Sequence, residues 1–190
     1  ITVSAALTCF MGTFQILAQP LILDFADSTT LGIGETVCAF GMLVSSLFLG
    51  AKGIRQGYVK KLCLSLLVAG VGMVGFGLRE NTYLICTFGF LFFATLPVAN
   101  NCLDYLVRVN IPDELQGRAW GLIGFLSQIG YVVAYGAAGT IADGIAARFR
   151  ISVGRGAAWV IMAAGVLLGL TALLLQSFRS VRTLEGGTKC

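Results

Sequence analysis

Two pairs of polar side chains lie one helical turn apart inside long apolar segments. Gln15 and Gln19 are four residues apart, and so are Asn100 and Asp104. Residues at this spacing share one face of a helix. Amides on such a face can hydrogen-bond a polar solute, and a carboxylate can carry a proton. Because a polar group inside a bilayer costs a few kcal/mol unless it faces protein or water, both pairs are candidates for the wall of a transport path.

Further candidates extend this polar set. Asn101 lies beside Asn100, and Gln128, Tyr131 and Tyr135 follow one another at i, i+3 and i+7. An aromatic surface that also carries an amide suits an amphipathic organic substrate. A second interpretation stays open, in which the amides hydrogen-bond neighbouring helices and the tyrosines only pack.

Asp104 also has two interpretations. It could carry protons in the transport path, or it could form an i, i+4 pair with Arg108 near the end of its segment. Its short distance from the segment end favours the pair with Arg108.

The composition predicts a membrane protein that is not an enzyme. Hydrophobic residues make up 57% of the chain, charged residues only 12%, and the mean hydropathy is +0.88, more than a soluble surface tolerates. Histidine is absent, and neither H-E-x-x-H nor G-x-S-x-G occurs, so no catalytic residue, metal or cofactor is predicted. The basic residues form no patch interleaved with aromatic residues, so nucleic acid is not an expected partner.

Six apolar segments have the length needed to cross a bilayer as helices. They span residues 1–23, 32–49, 62–78, 82–107, 119–147 and 156–178, and a polar tail follows at 179–190. The segments are continuously apolar, whereas a membrane barrel needs period-two alternation. We therefore expect an all-α membrane protein with a lipid bilayer as its surroundings. Because residue 1 already lies in an apolar segment, we also expect the chain to be part of a longer protein.

The basic residues indicate an orientation for these helices. Nine of the 13 Lys and Arg residues lie on one side: Lys52, Arg55, Lys60, Lys61, Arg108, Arg118, Arg179, Arg182 and Lys189. Short loops rich in Lys and Arg stay in the cytoplasm. Both termini are therefore expected to be cytoplasmic.

The basic loop at residues 50–61 resembles a family signature. The residues that carry the likeness are Gly50, Lys52, Arg55 and Gly57, followed by Lys60 and Lys61. Their order is similar to the loop between the second and third helices of each six-helix half in the major facilitator superfamily. That signature also contains an acidic residue, and Ile54 occupies its position here. A charge latch that uses this acid is therefore not expected.

A second stretch resembles one branch of the same superfamily. Residues 109–118 contain Pro112, Asp113, Glu114, Gly117 and Arg118. They look like the P-x-E-x-x-G-R connection between the fourth and fifth helices of the C-terminal half in the drug- and macrolide-efflux branch. The glycine-rich helix that follows is similar to that branch as well, and its G-x-x-x-G spacings predict close packing between helices.

The resemblance implies a fold and a function. The chain would be the C-terminal six-helix half of a twelve-helix bundle, with an N-terminal six-helix half as its partner. It would export a small organic solute across the plasma (inner) membrane by alternating access, coupled to protons. The polar stripes of the first and fourth helices would converge on the central cavity. Lys52 and Arg55 could pair with Asp113 or Glu114 when the cytoplasmic side closes. The alternative is a six-helix membrane scaffold or channel subunit without alternating access.

Overall fold

Six helices make up the computed structural model, which describes residues 2–54 and 56–177. They are α1 (Thr2–Leu23), α2 (Ser28–Lys52), α3 (Tyr58–Leu78), α4 (Thr82–Asn110), α5 (Asp113–Phe149) and α6 (Val153–Ser177). Helix accounts for 91% of the described residues, and all six helices are long and apolar enough to cross a membrane. The predicted all-α architecture with six membrane-length helices is confirmed.

The helices extend beyond the apolar segments that predicted them. α2 begins at Ser28 and not at residue 32, and α5 begins at Asp113 and not at residue 119. Hydropathy marks the part of a helix that lies in hydrocarbon, whereas the helix itself continues through polar residues that remain in water or headgroups. Lys52, Glu114 and Arg118, expected in connecting loops, therefore lie in helical ends.

Glycines shape the connection between α2 and α3. Gly53 has φ +63° and Gly57 has φ +76°, a backbone conformation that glycine adopts without the steric penalty of a Cβ atom. Gly50, expected to help form this turn, lies within the last turns of α2. The turn therefore depends on Gly53 and Gly57.

The helices pair in a pattern that repeats between the two halves of the chain. α3 packs against α6 at the centre, α3 against α4, and α1 against α6; α2 packs on α4, and α5 on α1. Exchanging α1, α2 and α3 for α4, α5 and α6 turns each of these pairs into another one or into itself. α5 also packs on α6, whereas α2 and α3 make no comparable contact within the described ranges. The bundle is thus an approximate internal repeat of three helices.

Close approaches at glycines give the directions of the paired helices. A Cβ atom added at Gly41 of α2 would meet Phe90 of α4, and one added at Gly89 would meet Cys38. Rising numbers in one helix therefore meet rising numbers in the other, so α2 and α4 are parallel. By the same test α1 and α5 are parallel, with Gly12 near Tyr131 and Gly130 near Thr8.

The central pair runs the other way. Gly77 approaches Ala158, and Gly70 approaches Gly165, so α3 and α6 are antiparallel. Because α3 and α6 exchange with each other in the repeat and point in opposite directions, the second three-helix unit is inverted relative to the first. Inverted repeats of this kind are a recurring architecture of secondary transporters.

An aromatic cluster fills the core where α1, α3 and α4 meet. The Phe14 ring lies 4.4 Å from that of Phe92, 4.6 Å from that of Phe76 and 5.8 Å from that of Phe93, measured between centroids. Phe14, Phe76 and Phe92 are buried. Such contacts add to the dispersion energy of the core and hold the first and second units together.

The packing predicted for the glycines of α5 is not made within the described chain. Cβ atoms added at Gly117, Gly121, Gly136 or Gly144 would meet no atom within 4 Å. The close backbone contacts lie instead between α3 and α6, where a Cβ added at Gly70 would be 2.7 Å from the Gly165 carbonyl oxygen. The G-x-x-x-G spacing identified helix faces that consist of small residues, but it did not show which of these faces contact another helix.

Candidate functional site

A cavity of about 590 Å³ opens between α1 and α2. α1 and α2 contribute most of its wall, and single residues of α3, α4 and α5 complete it. The lining residues are Phe14, Gln15, Ile16, Ala18, Gln19, Ile22, Leu31, Glu35, Cys38, Ala39, Met42, Phe76, Phe93 and Tyr135. The volume lies within the range of small-molecule sites.

Helical periodicity explains why these residues face one another. On α1, Gln15, Gln19 and Ile22 recur at i, i+4 and i+7. On α2, Glu35, Cys38 and Met42 recur at i, i+3 and i+7. Residues at these spacings share a helix face. Each of the two helices therefore presents at least one polar side chain, together with apolar side chains, to the cavity.

Tyr135 connects the wall of α1 to α5. Its phenolic hydroxyl donates a hydrogen bond to Gln15 Oε1, with 3.2 Å between the two oxygens. Gln15 and Tyr135 are 120 residues apart in the chain, and they lie in opposite three-helix units. The bond restrains the orientation of the Gln15 amide at the cavity wall.

The inner end of the cavity is apolar. Phe14 and Phe76, which line it, belong to the buried aromatic cluster, and the half-buried Phe93 lies beside them. An aromatic surface next to amide, phenol and carboxylate groups can bind a solute that has both an apolar body and a polar group.

Glu35 is the functional candidate that sequence reasoning missed. It is the one charged residue among the described residues that line the cavity. The sequence places it near the start of an apolar segment, where it counts as a charge on the outer side. Since α2 begins at Ser28, Glu35 lies seven residues, or about 10 Å, along the helix. Asp27 followed by Ser28 is a helix-start signal that could have placed it there.

Four predicted path residues lie outside the cavity lining: Asn100, Asn101, Gln128 and Tyr131. Asn100, Asn101 and Gln128 are exposed on α4 and α5. Asn100 lies ten residues before the end of α4, or about 15 Å along the axis. Gln128 lies 15 residues after the start of α5, or about 22 Å. Both are thus well within membrane-length helices. Their role in the path stays a prediction.

Tyr131 lies in the contact between α1 and α5. Its ring is 5.8 Å from that of Tyr135, and it would meet a Cβ atom added at Gly12 at 2.9 Å. Of the seven predicted path residues, the structure brings Gln15, Gln19 and Tyr135 into the cavity, and Tyr131 directly supports Tyr135.

Asp104 is exposed near the far end of α4. No ion pair between Asp104 and Arg108 occurs within the part of the chain that the structure describes, where Arg155–Glu80 is the one pair found. The neighbouring Tyr105 stacks on Tyr58 of α3, with ring centroids 3.6 Å apart. The proton-carrying role of Asp104 stays a prediction.

The loop-motif residues lie at the end of the bundle formed by the α2–α3 and α4–α5 connections. Lys52 Nζ lies over the Phe48 ring, 4.7 Å from its centroid. The Asp113 carboxylate accepts a hydrogen bond from Gln116 Nε2 at 2.8 Å, and Glu114 and Arg118 are exposed. Arg55 lies outside the described residues. The pairing of Lys52 or Arg55 with Asp113 or Glu114 stays a prediction.

Metal-binding groups are sparse near the cavity. Across residues 2–54 and 56–177, no cluster of three or more His, Cys, Asp or Glu side chains could hold a metal ion. The cavity therefore offers hydrogen bonds, aromatic surface and one negative charge to a ligand.

Comparisons with known proteins give no relative for this chain. None of the protein-family models, curated proteins or solved structures searched matches it.

Proposed function

We propose that this chain is one six-helix half of a secondary transporter of the major facilitator superfamily, and that it moves a small organic solute by alternating access. The observation that carries the proposal is the inverted three-helix repeat, together with a cavity whose wall includes residues of both units. Transporters built from inverted repeats bind substrate near the bilayer midplane at the repeat interface. The cavity contains Gln15 from the first unit and Tyr135 from the second.

Exposed polar groups inside the membrane-length helices support a partner half. Gln15, Asn100 and Gln128 are exposed on α1, α4 and α5. A polar group that faces lipid is costly, and such groups almost always face protein or a water-filled cavity. We therefore propose that these side chains face a second six-helix half across a central, hydrated path.

The transport direction, coupling and location in this proposal come from the sequence resemblance. They are export of the solute, driven by protons, across the plasma (inner) membrane. The proposed position of both termini in the cytoplasm comes instead from the distribution of Lys and Arg. The basic residues at the α2–α3 and α4–α5 connections support that orientation through the positive-inside tendency.

Transport by the reconstituted protein tests this proposal. The complete gene product would be placed in lipid vesicles with an imposed proton gradient and assayed with a panel of cationic, anionic and neutral dyes. We expect at least one dye to be concentrated, and a protonophore to abolish the concentration. A channel subunit would only let a dye equilibrate, and a scaffold would move none; either result would contradict the proposal.

A further inference from the structure

We propose that the cavity between α1 and α2 binds its solute as an organic cation, with the Glu35 carboxylate as the counter-charge. This inference rests on the proposed transport function and specifies the chemical class of the solute.

The charge of the cavity favours a cation. Glu35 carries the only charge among the described lining residues, and no Lys or Arg lies beside it there. Its carboxylate takes part in no hydrogen bond or ion pair with another described residue. Glu35 is exposed at the cavity wall, and a carboxylate there attracts an opposite charge. A bound cation would supply that charge, whereas a bound anion would meet repulsion.

The neutral polar groups are compatible with the same ligand. Gln15 and Gln19 carry amide oxygens that can accept hydrogen bonds from an ammonium group. Gln15 Oε1 also accepts the hydrogen bond from Tyr135, which positions this amide before a ligand arrives. A solute with donors on its charged group can therefore be held by Glu35 and an amide together.

The aromatic residues favour an organic cation over a metal ion. Phe14, Phe76, Phe93 and Tyr135 line the cavity, and the faces of aromatic rings attract organic cations. A small metal ion would instead need several oxygen ligands around one point. The volume of about 590 Å³ admits a solute of drug size.

Binding of a matched pair of ions tests the inference without requiring transport. Tetraphenylphosphonium and tetraphenylborate have nearly the same shape and opposite charge. Their dissociation constants would be measured by equilibrium dialysis on the complete gene product in lipid nanodiscs. The variants are Glu35→Gln, which removes the charge with little change in shape, and Glu35→Asp, which keeps it.

Asp27→Asn is the matched control. Asp27 is exposed, precedes α2, and its side chain makes no capping hydrogen bond. It lies outside the cavity lining. This variant therefore removes the same charge from the same end of α2 without altering the cavity wall.

We expect the parent to bind the phosphonium ion more tightly than the borate ion. Glu35→Gln should weaken phosphonium binding by about tenfold, since this variant removes the opposite charge that attracts the cation. Glu35→Asp and Asp27→Asn should each stay within about threefold of the parent.

Three results would overturn the inference: no phosphonium binding by the parent, unchanged binding in Glu35→Gln, or an equal loss in Asp27→Asn. The outcome is independent of the transport assay. If the protein transports a solute but Glu35→Gln leaves its phosphonium affinity unchanged, only the cation inference is refuted. If phosphonium binding depends on Glu35 but the protein transports no solute, only the transport proposal is refuted.

Discussion

Replacing Gly70 by alanine should destabilise the central contact between α3 and α6. A Cβ atom at residue 70 would lie 2.7 Å from the Gly165 carbonyl oxygen and 3.1 Å from the Gly169 nitrogen. Both are backbone atoms, which cannot rotate away as the end of a side chain can. Reaching the ordinary separation of 3.4 Å from the oxygen requires the helices to move apart by about 0.7 Å, the difference between 3.4 and 2.7.

The expected loss combines two opposing effects. Overpacking a tight contact costs about 1–3 kcal/mol, and separated helices also lose dispersion contacts. Alanine recovers up to about 1 kcal/mol because it is a better helix former than glycine. The difference between these two terms is about 0–2 kcal/mol. The lost dispersion contacts add to it, so we expect a loss of about 1–2 kcal/mol in the free energy of unfolding.

Gly169 of α6 provides the matched control. It lies in the same contact, yet a Cβ atom added at Gly169 would meet no atom within 4 Å. Gly169→Ala should therefore leave stability unchanged or raise it slightly. Unfolding of both variants would be followed by far-ultraviolet circular dichroism as SDS is added to protein in mild detergent micelles. If Gly70→Ala proved as stable as Gly169→Ala, the close approach of α3 and α6 would be wrong.

Two further predictions concern the core and one end of the bundle. Phe14→Ala should lower the free energy of unfolding by about 3–5 kcal/mol, because a buried ring is lost from the aromatic cluster. Phe125 is 64% exposed, so Phe125→Ala should change the free energy of unfolding by less than about 0.5 kcal/mol. Similar losses for the two variants in the same SDS titration would contradict the core assignment. Glu80→Gln should lower the free energy of unfolding by less than about 1 kcal/mol, because the Arg155–Glu80 pair is long at 3.4 Å and its side chains are 37% and 41% exposed. This loss of stability should become smaller in high salt. A larger loss that does not depend on salt would show that the pair is more than a surface contact.

The sequence predicted the helices better than their ends. Apolar length identified all six, since a membrane-length helix needs a long uninterrupted run. It failed at Ser28 and Asp113, where α2 and α5 begin, because the polar first turns of these helices resemble loops in hydropathy. Which helices pair could not be derived, because contacts between α3 and α6 join residues far apart in the sequence, such as Gly70 and Gly165. No local pattern identifies such a partner.

The candidate site was predicted in part for a related reason. Gln15 and Gln19 stood out because amides one turn apart are rare in an apolar segment, and Tyr135 because it shares a face with Gln128. That Tyr135 meets Gln15 depends on the packing of α5 against α1, which no local pattern encodes. Glu35 was missed because its depth depends on where α2 begins.

Our main proposal is that the cavity between α1 and α2 binds the solute during transport. Its most direct test is the initial rate of dye uptake by the reconstituted protein, compared between the parent, Gln15→Ala, and Gln176→Ala as a control. Gln176 is an exposed amide on α6 that does not line the cavity. We expect Gln15→Ala to lower the rate about two- to tenfold, as for one lost hydrogen bond, and Gln176→Ala to transport like the parent. Equal rates in all three proteins would contradict the proposal.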